Sequence, residues 1–102
     1  MSVYLVGYDL HPNEEYEDLI DTIKRISSDW WHCLDSTWLI VHPGSAGDIR
    51  AALLPHLRRP QEQATETKRA GDKLLVALMA TGDSAWTGSL PDECRTWLKS
   101  NL

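Results

Sequence analysis

Met1-Ser2-Val3-Tyr4-Leu5-Val6-Gly7-Tyr8-Asp9-Leu10 opens the chain. Residues 3–8 are apolar and β-branched, too short for a helix, and they end abruptly in a carboxylate. They predict a strand with Asp9 at its mouth. His11-Pro12-Asn13 then opens a helix, with Asn13 as its cap and Glu14 and Glu15 in its first turn. Tyr16, Leu19, Ile20, Ile23 and Ile26 recur at helical spacing, so one apolar face runs through residues 13–28.

Outward from there, residues 30–42 are rich in aromatic and β-branched side chains, interrupted by Asp35-Ser36. This pattern predicts two strands, 30–34 and 37–42, joined by a tight turn or a bulge. Pro43-Gly44 stops the second. Ser45 and Asp48 have capping-box spacing, and Ile49, Ala52, Leu53 and Leu57 make a second helical stripe over 45–57. Pro55 distorts its last turn. Residues 58–72 are polar and read as a flexible surface loop. Leu74-Leu75-Val76-Ala77-Leu78-Met79 is a continuous apolar run within a strand at 73–80, a pattern that suits cover on both faces. Ser89, with Pro91 and Asp92, starts a third helix carrying Cys94, Trp97, Leu98 and Leu102.

The order is β-α-β-β-α-β plus a C-terminal helix. It predicts a single α+β domain over residues 1–102, a ferredoxin-like antiparallel sheet with helices on one face. In this topology strand 1 is central. Asp9, Asp35, Ser36, Thr37 and Asp72 share one edge, with Ser36 and Thr37 nearest Asp9, and Asp83 lies at the opposite edge. The second face of the sheet is expected to bury against a second copy of the chain or against the C-terminal helix.

Composition narrows the function. The 102 residues carry ten basic and fifteen acidic groups, a net charge of −5. That argues against a strong non-specific nucleic-acid binder, whose affinity rests on phosphate neutralisation. There are five Trp and no Phe, so the large core pieces bring indole N–H groups that need partners. The indoles also offer base-stacking platforms, and Trp31 or Trp86 a dimer surface. Cys33 and Cys94 lack metal-ligand spacing and read as small core residues. No leader and no apolar run of membrane-spanning length is seen, so a cytoplasmic protein without a membrane partner is expected.

The strand blocks Tyr4-Leu5-Val6-Gly7-Tyr8-Asp9-Leu10 and Leu34-Asp35-Ser36-Thr37-Trp38-Leu39-Ile40 resemble the small CRISPR-associated adaptation nucleases, the second core adaptation protein, over roughly residues 3–58. The Tyr8-Asp9-Leu10, Trp30-Trp31-His32 and Leu34–Leu39 blocks are similar to those of a group of short bacterial proteins labelled SinR-like. The resemblance implies a homodimer with Mg²⁺ or Mn²⁺ held by Asp9 at the dimer cleft. It implies hydrolysis of RNA or DNA, or non-catalytic scaffolding of an integrase partner. Glu14, Glu15, Glu17 and Asp18 stand where that family carries a basic surface, and residues 58–72 and the third helix are extra or altered.

Asp9 therefore has two readings, a metal ligand or a cap on the turn at His11. Ser36 and Thr37 orient a phosphate or a metal-bound water, or simply satisfy their turn. His11 is the better placed of two proton donors or bases, and His32, beside Trp30 and Trp31, reads as a half-buried packing residue. Arg58-Arg59 and Lys68-Arg69 are positioned for phosphate, or are solvated loop boundaries.

Overall fold

Alternation of side chains in the first strand decides how the sheet is dressed. In the computed structural model, which describes residues 1–11, 15–57 and 71–102, strand β1 spans Ser2–Asp9. It is followed by helix α1 (Glu17–Ile26), strands β2 (Asp29–Leu34) and β3 (Thr37–His42), helix α2 (Ala46–Leu53), strand β4 (Lys73–Leu78) and helix α3 (Asp92–Asn101). The four strands form one antiparallel sheet in the order β2-β3-β1-β4, with β1 between β3 and β4.

Even-numbered β1 residues point to one face. Tyr4 and Val6 meet Trp38 and Ile40 of β3, Leu19 and Ile23 of α1, and Ile49 and Leu53 of α2 in one buried cluster. Odd-numbered residues point to the other. Val3 meets Trp31, Leu39 and Leu98 of α3. The C-terminal helix thus covers the second face, one of the two covers expected, but only at the end of the sheet where Val3 lies.

The element boundaries have local causes. Ser45 caps α2 through a complete capping box: its hydroxyl accepts from the Asp48 N–H at 3.1 Å, and Asp48 Oδ2 accepts from the Ser45 N–H at 2.9 Å. Gly44 leaves room for this box, because a Cβ would sit 2.6 Å from Asp48 Oδ2 and 2.9 Å from the His42 ring and would push the capping carboxylate aside. The Tyr4 hydroxyl donates to the Gly44 carbonyl at 2.7 Å, tying this connection to the central strand. The helix read over 45–57 is shorter: at Leu54 it tightens into one 3₁₀ turn, Leu54–His56, with Pro55 inside it.

Four expectations are corrected. Cys33 and Cys94 are not separate core thiols; they form a disulfide between β2 and α3. β4 is not covered on both faces, because it is an edge strand whose Leu75 and Leu78 remain 63% and 64% exposed. Ser89 does not cap α3: the cap position is Pro91, and the Ser89 hydroxyl pairs with that of Thr87. Trp31 is not a surface residue of the single chain: it is buried under α3, with its indole donating to the Cys94 carbonyl at 3.1 Å. The Asn13 cap and the basic residues Arg58, Arg59, Lys68 and Arg69 lie outside the described residues, as does most of the 58–72 loop.

Candidate functional site

At the Asp9 end of β1 the sheet gathers the polar residues that strand order assigns there. Gly7 lies opposite Thr37, Asp9 lies opposite Lys73, and the Tyr8 N–H donates to the Ser36 carbonyl at 3.0 Å. Asp35 and Ser36 are the exposed two-residue turn between β2 and β3. Their strand neighbours are therefore the expected ones.

The faces divide this edge. Asp9 falls in register with Leu5 and Gly7 on the second face, beyond the reach of α3. There Leu5, Asp9, Thr37, Lys73 and Leu75 border a shallow groove of about 370 Å³. Asp9 is exposed. Asp72 lies instead on the helix side, where its side chain is fully buried. It accepts from the Tyr16 hydroxyl at 2.8 Å and from the His11 backbone N–H at 3.2 Å. The His11 imidazole Nδ1 stands 3.8 Å from the same carboxylate.

The turn at His11 is held by Asp72, which secures the start of α1 to the start of β4 through Tyr16. His11 is consequently part of that tie on the helix side, and the groove with Asp9 is on the other. Sequence order alone places all of these groups at one edge. Only the parity of the strands separates them.

The donor set around Asp9 is one carboxylate, one threonine hydroxyl and, directly across, the Lys73 ammonium. A hard divalent ion takes carboxylate and water oxygens, and a neighbouring ammonium repels it. The residues of one chain do not fit such an ion. Among the described residues no three His, Cys, Asp or Glu side chains gather as metal ligands.

His32, read as half-buried, is exposed, but its ring is flat on Trp38, with centroids 3.8 Å apart and planes 12° from parallel. Its Nε2 lies 3.2 Å from the Asp35 carbonyl. Trp38 in turn donates its indole N–H to the Tyr8 hydroxyl at 3.0 Å. Trp30 leans on the Trp38 ring, and Lys24 Nζ sits 5.1 Å above the Trp30 ring. These contacts make the aromatic group a packed margin of the core. The Cys33–Cys94 bond is the one feature of chemical consequence that sequence reading missed. An even pair of cysteines was the available signal, and the path of α3 across the sheet was not.

No protein-family model, curated protein or solved structure matches the chain. Among the described residues, no helix is long and apolar enough to cross a membrane.

Proposed function

We propose that this chain is a non-catalytic homodimeric module with ferredoxin-like topology, whose copies pair through β4. The observation that carries this reading is the contrast between the two sheet edges. β2 is interrupted by a register shift between Trp31 and Leu34 and is bonded to α3. Such irregularity blunts an edge against pairing. β4 is regular along its whole pairing with β1 and shows exposed leucines on both sides, Leu75 toward the second face and Leu78 toward the first. A second copy paired antiparallel about Val76 sets Leu78 across from the partner's Leu74 and Leu75 across from the partner's Ala77. One interface thereby covers both faces and extends the sheet to eight strands. The acidic balance of the chain, −5 overall, fits a protein partner better than a nucleic acid.

Sedimentation of the whole chain at micromolar concentration tests this. The expected result is a dimer that Leu75→Lys with Leu78→Lys converts to a folded monomer. A wild-type monomer overturns the reading.

A second reading is favoured by Asp9 itself, which is exposed, while the His11 N–H is taken by Asp72. In that reading two copies meet over the open half of the second face, and paired Asp9 carboxylates take part in cutting RNA or DNA with an added divalent ion. Cleavage of labelled single-stranded RNA or duplex DNA in Mn²⁺, abolished by Asp9→Asn with the fold intact, supports it. Cleavage that survives Asp9→Asn, or no cleavage by the wild type, leaves the interaction module.

A further inference from the structure

The helix on the second face is fastened more firmly than it is packed. Cys94, in the first turn of α3, is bonded to Cys33 of β2, with the two Cα atoms 6.3 Å apart. The remaining ties are looser packing, with Trp97 and Leu102 partly buried against the same cluster, and a few specific contacts. Leu98 is the buried residue of the helix, Trp31 donates to the Cys94 carbonyl, and the Gly82 N–H donates to the Leu102 carbonyl at 2.8 Å.

Several features work against docking. No side chain caps the start of α3, and ten residues are too few for a helix to persist alone in water. Docking also buries Trp97 Nε1 and Arg95 Nε without a hydrogen-bond partner among the described residues. Each of these groups regains its bonds when water reaches it. Both cysteines are half-buried rather than sealed in the core.

We propose that Cys33–Cys94 is a redox latch, opened by a dithiol reductant, that controls whether α3 covers the second face. One thiolate of the dithiol attacks a sulfur of the pair, forming a mixed disulfide and releasing the other cysteine as a thiolate. The second thiolate of the reductant then closes on its own sulfur and releases the first cysteine. Two electrons pass to the protein pair, both cysteines end as thiols after taking up protons, and the dithiol ends as a cyclic disulfide. With the bond cut, α3 leaves the sheet, Trp97 and Arg95 are rehydrated, and Val3, Trp31 and Leu39 are uncovered. The first-face cluster shares none of these residues and stays closed. In a thiol-reducing compartment the open form is then the resident one, and in an oxidising compartment the closed form.

The test compares the full chain after air oxidation, after dithiothreitol, and as the Cys33→Ser/Cys94→Ser variant. Thiol titration should find no reactive thiol before reduction and two after. Amide hydrogen exchange over residues 94–101 should speed about tenfold or more in the reduced and double-serine forms, with β1 and β3 unchanged, and reoxidation should restore the wild type. Trp97→Phe, which keeps an aromatic though smaller ring and removes the orphaned N–H, should narrow that difference. Two free thiols in the air-oxidised protein overturn the proposal. So does equal protection of α3 in both states, or a loss of protection that spreads evenly to β1 and β3.

Discussion

The two faces of one sheet are built on different principles. On the first face two helices and two strands contribute Val6, Leu19, Ile23, Trp38, Ile40, Ile49 and Leu53, all fully buried. On the second, one helix covers part of the sheet, and no member of its cluster is fully buried; even Leu98 keeps 4% exposure. The first face is held by packing of many elements. The second is held by a covalent bond and a few contacts, and half of it stays open around Asp9. The difference teaches that two faces of one strand, one residue out of phase, need not share stability or mobility.

The sharpest way to break this comparison is to remove one large side chain from each face. Trp38→Ala deletes the indole that fills the first-face core, bonds Tyr8 and carries the His32 ring, and should destabilise by about 3–5 kcal/mol. Leu98→Ala should fall near the bottom of its class, about 2 kcal/mol, because α3 sits at a margin that can settle into the gap. Denaturant midpoints measured on oxidised protein check both. Equal losses would mean that the second face is as tightly packed as the first.

Smaller effects sharpen the same contrast at the helix starts. α2 has a full capping box and α3 has no side-chain cap. Ser45→Ala should therefore cost about 1 kcal/mol, whereas Ser89→Ala should leave the midpoint unchanged, since its hydroxyl touches only Thr87. A cost from Ser89→Ala matching that of Ser45→Ala would show that α3 is capped in solution after all.

The smallest effect is a pH dependence. The Ser45 backbone N–H, then its hydroxyl, with His42 nearby, hold the Asp48 carboxyl below its ordinary value of 3.8. Its folded pKa is lower than its unfolded one. The contribution is thus complete above the unfolded value and disappears as pH falls through the folded value, below about pH 4. Asp48→Asn should flatten the acid side of the stability curve there, and an unchanged slope would remove Asp48 from the account.

Much of the first face was legible because its signals are local. The period of Leu19, Ile20, Ile23 and Ile26, the Ser45–Asp48 spacing and the Asp35-Ser36 break each act within a few residues. The shared edge was legible from topology, which puts Asp9 near Thr37 and Asp72. What stayed hidden depends on tertiary direction. The apolar run in β4 has the same composition at an edge as in a buried strand, so Leu75 and Leu78 gave no sign of exposure. Nothing near Asp72 marks it as buried, because its partners Tyr16 and His11 arrive from the other end of the sequence. Cys33 and Cys94 look like any pair of small residues until α3 is laid across β2.

The place of β1 in the sheet has a consequence during synthesis. β1 leaves the ribosome first and can pair with β3 once residue 42 is made, but its other edge belongs to β4, which is finished only at residue 78. The interval is 78 − 42 = 36 residues, or about 2–7 s at ordinary elongation rates of roughly 5–20 residues per second. Throughout it an apolar strand of the nascent chain presents a row of unpaired amides and carbonyls. The growing polypeptide is therefore at its most aggregation-prone before β4 is made, and slowing translation over residues 43–78 should lower the yield of soluble protein while raising its dependence on chaperones.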